Sequence, residues 1–186
     1  MPAVPACPSS LNPAGRLLTL GPMKITTFVG DIADAPAEAL CTSTNPRLSL
    51  MMGTGASIRE RGGFEVLREC EAIVAAEGSP LPAGTAHITS AGRLNAKAII
   101  HCVACNSHHL SSPDIVRLCV KNALARADEA NCRTVAMPVF GTGHARVKFA
   151  RAIAAIADAL RSTTTMVEHV MIVVLDSERA ADIPTL

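Results

Sequence analysis

The chain has 186 residues, 49% of them apolar, with 17 Lys and Arg against 16 Asp and Glu; this suits one compact domain, or one domain plus a tail. A formal charge of +1 gives no electrostatic reason to favour nucleic acid or an anionic membrane, and the longest uncharged apolar runs (residues 98–105 and 170–175) fall well short of the ~20 residues of a spanning helix. There is no Trp and no Tyr, so a site that grips a flat ring must use Phe28, Phe64, Phe140 or Phe149, or else aliphatic and sulfur faces.

Residues 1–22 form a flexible Pro-rich leader, with Pro2, Pro5, Pro8, Pro13 and Pro22, a single charge at Arg16 and strand-like patterning at residues 16–20. It lacks the basic and apolar regions of a secretory signal and the Arg content of a transit peptide. The domain is expected over residues 23–186. Seven cysteines without regular spacing read as reduced thiols of a cytoplasmic or nuclear protein.

Residues 24–29 (KITTFV) are β-branched and end at Gly30-Asp31, a strand running into a loop. Residues 38–44 (EALCTST) make a second strand, closed by Asn45-Pro46. Residues 53–63 are glycine-rich, with a helix beginning at Ile58, and residues 64–77 are helical up to Gly78. Two strands follow at 85–90 and 97–104, then a helix from Ser112-Pro113-Asp114 to near Asn131. A short strand at 134–138, a helix carrying Phe149, Ile153, Ile156 and Leu160, and a strand at 170–175 complete the chain. The strands are apolar throughout rather than alternating, so both sheet faces must be covered. The fold class is α/β: a three-layer α/β/α sandwich with a mixed, largely parallel central sheet. Ligands of such sheets bind beyond the carboxyl ends of the strands.

Three loops at strand ends carry unusual residues. Asp31 can accept hydrogen bonds from an exocyclic amine or a ribose hydroxyl, or simply cap a turn. Thr44-Asn45 leads to Met51-Met52-Gly53-Thr54-Gly55-Ala56-Ser57, whose small residues expose backbone N–H groups at a helix start and suit a diphosphate. The loop lacks the Lys-Ser/Thr of a P-loop and the full G-x-G-x-x-G spacing. Val139-Phe140-Gly141-Thr142-Gly143-His144-Ala145 again joins a strand to a helix. Together the loops suggest a cleft that holds a pyrophosphate by main-chain donors, which needs no net positive charge.

Gly30-Asp31-Ile32, Thr44-Asn45-Pro46, the glycine loop into Ile58, Ile99-Ile100-His101, Ala136-Met137-Pro138, Gly141-Thr142-Gly143 and Val173-Val174-Leu175-Asp176 occur in the order seen in macrodomains, which the chain resembles over residues 23–177. Residues 44–63 look most like the macrodomain of a histone variant. The resemblance implies a module that binds ADP-ribose or its derivatives, free or protein-linked. It implies Asp31 and Ile32 at the adenine, with Leu175 at the strand end beside it, and Asn45 near the distal ribose. Gly53 to Ser57 would form one diphosphate loop and Val139 to Ala145 the other. Departures from the family pattern are Met51-Met52 where glycines commonly stand, Gly55 at the position of the hydrolase branch's acid, and Ala145 and Leu175 where aromatics often stand.

Other readings stay open. A hydrolase or phosphatase, acting on ADP-ribosylated protein, O-acetyl-ADP-ribose or ADP-ribose 1″-phosphate, would use Asn45 to position the ribose or His144 as a base. The spacing of Cys102, Cys105, His108 and His109 is compatible with zinc, although Cys102 belongs to a strand whose alternation separates it from its neighbour His101. A scaffold that has lost the ligand would use the old cleft or the leader for protein contacts. The expectation is a monomer needing no cofactor, with ADP-ribose or ADP-ribosylated proteins as partners.

Overall fold

The computed structural model describes residues 23–184, so the leader and the strand-like residues 16–20 lie outside it. In chain order the elements are strand β1 (Lys24–Val29), a 3₁₀ turn (Ile32–Asp34), β2 (Ala39–Thr44), helices α1 (Thr54–Gly62) and α2 (Phe64–Glu77), β3 (Ala86–Ser90), β4 (Ala98–Val103), α3 (Pro113–Glu129), β5 (Thr134–Pro138), α4 (Phe149–Ser162), β6 (His169–Val174) and α5 (Ser177–Ala181). The strands form a six-stranded sheet in the order β1-β6-β5-β2-β4-β3. Every pairing is parallel except that of β3, which closes one edge antiparallel to β4.

Alternation along each strand feeds two cores. Leu40, Ile99, Val103, Ala136, Met171 and Val173 pack under α1 and α2 with Ile58, Val66 and Cys70. Cys41, Ile100, Cys102, Val135, Met137 and Ile172 face the other way, against α3 and α4. Every residue of β4 is buried, and each fully buried Val or Ile there is worth roughly 1.5–3 kcal/mol relative to exposure. Ala123, Ala127, Ala152, Ala155 and Ala159 are buried where α3 meets α4, and their small side chains let the helices approach closely. The expected three-layer architecture with a mixed sheet is the one observed.

Two differences from the sequence reading have physical causes. First, α1 begins at Thr54 and not at Ile58. Gly53 takes a positive φ of 56° and initiates the helix, while Gly55 packs so closely that a Cβ there would stand 3.1 Å from Leu50 Cα. The glycines that read as loop are therefore needed by the helix start. Second, the 3₁₀ turn and α5 span only 3 and 5 residues, too few for hydrophobic periodicity to reveal. Their signals are the caps alone: Asp31 accepts from Ala33 N and Asp176 from Arg179 N.

Candidate ligand-binding cleft

The parallel strands β1, β6, β5, β2 and β4 all end on the same side of the sheet, and the loops leaving them surround a cleft of about 930 Å³. Five strands at ~4.8 Å spacing make the row of loops roughly 19 Å long, which suits an extended ligand. Sheet order assigns each loop its place. Gly30, Asp31, Leu175, Asp176 and Arg179 stand at the β1/β6 end, the 139–147 loop in the middle, and Asn45, Met51, Met52, Cys105 and His109 at the β2/β4 end.

The first loop is fastened by side chains. Asn45 Oδ1 accepts from Arg47 N (3.0 Å) and Ser49 N (3.2 Å). Since main-chain N–H groups only donate, this fixes the amide's orientation and leaves its Nδ2 hydrogens as the donors it can offer. Thr54 Oγ1 pairs with the buried Thr42 hydroxyl at 3.0 Å and accepts from Ser43 N at 3.3 Å. Ser57 Oγ donates to Asp31 Oδ1, which also accepts from Ala33 N at 2.8 Å. Asp31 is thus both a cap and a cleft residue. Arg61 binds the next carboxylate, Asp34, and holds it below the ordinary carboxylate range.

The second loop is fastened by backbone conformation. Gly141 has φ +76°, and its carbonyl accepts from Val147 N at 3.0 Å. Arg146 N donates to Gly143 O at 3.1 Å, and Thr142 Oγ1 to Val139 O at 2.8 Å. Both loops deliver helices, α1 and α4, whose starts carry no side-chain cap; α2, which starts away from the cleft, also lacks one, whereas α3 and α5 are capped by Ser112 and Asp176. An uncapped helix start facing a cleft leaves N–H donors for an anion.

A sequence model of the Macro domain family matches residues 41–156. The chain belongs to this family. It is 36% identical over 155 residues to a macro domain-containing protein of Streptomyces nogalater, covering 82% of this chain and 86% of the relative. It is 33% identical over 155 residues to one of Streptomyces coelicolor, covering 82% and 92%. Among solved structures it is similar to an Oceanobacillus iheyensis macrodomain mutant with ADPR (TM-score 0.75, 23% identity, 85% of this chain and 87% of that one). It is also similar to a Trypanosoma brucei macrodomain in complex with ADP-ribose (TM-score 0.74, 19% identity, 85% and 66%).

Of the residues singled out from sequence, the macrodomain cleft is lined by Asp31, Ile32, Thr44, Asn45, Gly53, Thr54, Ser57, Val139, Gly141, Thr142, Gly143, His144, Ala145 and Leu175. Three others of the two loops do not line it. Phe140 is fully buried in the α3/α4 core, Gly55 turns into Leu50, and Ala56 sits half-buried in the first turn of α1. The aromatic ring of the cleft is Phe149, not Phe140. Sequence reasoning assigned Phe149 to a helix face and passed over Arg179; the signal available for Arg179 was Asp176 as a helix cap, which brings Arg179 back over the strand end.

The four zinc candidates do not converge. Cys102 lies under α3, its thiol donating to Cys119 O at 3.8 Å, while Cys105 and His109 line the cleft and His108 is exposed. Among the described residues no group of three His, Cys, Asp or Glu side chains comes together as a metal site. Burial pushes the Cys105 thiol up, so it stays protonated at neutral pH and is a poor nucleophile. No helix among the described residues is long and apolar enough to cross a membrane.

Proposed function

We propose that the chain binds ADP-ribose or a derivative of it, free or attached to a protein, without turning it over. One observation carries this reading: two strand-to-helix loops with uncapped helix starts border a single cleft long enough for an extended dinucleotide, in a family whose solved members include ADP-ribose complexes. The diphosphate would take main-chain N–H groups from both loops. Asp31 would meet the adenine amine at the β1/β6 end. Asn45, its carbonyl already committed, would donate its Nδ2 hydrogens to the distal ribose.

Binding without catalysis is favoured because Gly55, at the position where the hydrolase branch carries its acid, faces Leu50 with no room for a side chain. Asn45 has no free acceptor with which to activate water, so such chemistry would need another base of the cleft, such as His144 or His109.

Calorimetric titration tests the reading. ADP-ribose binds wild type, and Asp31→Asn binds it several-fold more weakly while melting at a similar temperature, because an amide oxygen can keep the bonds to Ala33 N and Ser57. No heat and no thermal shift at millimolar ADP-ribose would sink the proposal.

A further inference from the structure

Gly30 N donates to Val174 O at 2.8 Å, so residues 30–32 and 175–179 share the β1/β6 end of the cleft. Leu175 is 79% exposed there and offers an aliphatic side chain, not a ring face. Two other residues of this end do present flat surface. Phe149 opens α4 and lines the cleft, and the Arg179 guanidinium of α5 lies over its ring, Cζ 5.0 Å from the centroid. Arg179 is the one Lys or Arg among the described residues lining the cleft. Its side chain stays 55% exposed and its carboxylate partner, Asp182, is 3.9 Å away, so no tight ion pair pulls it off the ring. A guanidinium backed by a ring on one side keeps its other side planar, delocalised and weakly hydrated, the kind of surface on which bases stack.

We propose that Arg179, held over Phe149, is the platform on which the base of the ligand stacks. The inference rests on the ADP-ribose reading and adds the residues that select an aromatic base. What matters is the plane: a lysine would keep the charge and lose the stacking.

The absence of Trp and Tyr makes the test direct, since the adenine band of a bound ligand is seen against a protein that absorbs little. ADP-ribose is titrated into wild type, Arg179→Lys, Arg179→Ala and Phe149→Leu, following both heat and adenine absorbance. Wild type should bind with hypochromism. Both Arg179 variants should bind on the order of tenfold more weakly, the scale of one stacked base, with the hypochromism lost. Phe149→Leu should fall between. Wild-type affinity in Arg179→Lys would overturn the proposal in favour of charge, and unchanged binding by Arg179→Ala would remove the contact altogether. Weakening confined to Phe149→Leu would make the ring itself the platform. No binding by wild type would instead defeat the ADP-ribose reading, a result that the variants cannot imitate.

Discussion

The two loops that border the cleft achieve the same end by different means. The first is welded to the sheet by hydroxyls and an amide, and it stands over a polar floor. Thr42, Thr44, Thr89 and His101, all buried, lie on the α1/α2 side of the sheet, with His101 opposite Thr42 in the ladder and bonded to Thr89 Oγ1 at 2.9 Å. The second has an apolar floor of Met137, Phe140 and Ile153 and is shaped by glycine conformation and main-chain bonds. A floor that offers hydroxyls can anchor a helix start through side chains. One that offers only methyls must leave the backbone to hold itself.

This contrast can be broken one loop at a time. Gly141→Ala should have the largest effect. Its φ of +76° disfavours any Cβ, which would also stand 3.0 Å from Ser111 Oγ; about 2–3 kcal/mol of stability should be lost in urea unfolding. Survival of this variant at wild-type stability would show that the second loop does not depend on backbone strain. Thr54→Val should cost less, about 1–2 kcal/mol, by leaving the buried Thr42 hydroxyl without its partner. Its ADP-ribose affinity should fall as the α1 start loosens.

The polar floor itself gives the smallest effect at neutral pH, one that grows on acidification and is read as a pH slope. Complete burial lowers the pKa of His101 to about 3 from an ordinary 6.5. Between those values the unfolded chain binds a proton that the folded chain refuses, so stability falls as pH falls, by about 1.4 kcal/mol per pH unit. Urea unfolding of wild type and His101→Gln between pH 7 and 4 should show a shallower slope in the variant. Equal slopes would mean that His101 does not carry the acid sensitivity.

Strands were the most legible part of the sequence. Residues 24–29, 134–138 and the helix at 64–77 fall where β-branched runs and helical spacing put them. At 134–138 the apolar run reflects cover on both faces, whereas 24–29, an edge strand with no buried residue, was legible from its β-branched residues alone. The cleft was legible where residues follow strand ends, as with Asp31, Asn45 and Gly141. It was not legible where a distant element folds back. Phe149 and Arg179 are 30 positions apart in sequence, and their meeting depends on α5 turning over the end of β6. Phe140 misled because it neighbours a glycine loop, yet its ring fills the core.

The carboxylate of Asp31 divides its labour. Oδ1 receives both structural donors, Ala33 N and Ser57 Oγ, and among the described residues no donor bonds Oδ2. The free oxygen can therefore meet a base without disturbing the turn. An asparagine would have to spend its single carbonyl on those two bonds and turn its NH₂ outward. The outward-facing group would change from an acceptor to a donor, so Asp31→Asn reverses the polarity of recognition, favouring a purine that carries a 6-oxo group over one that carries an amine.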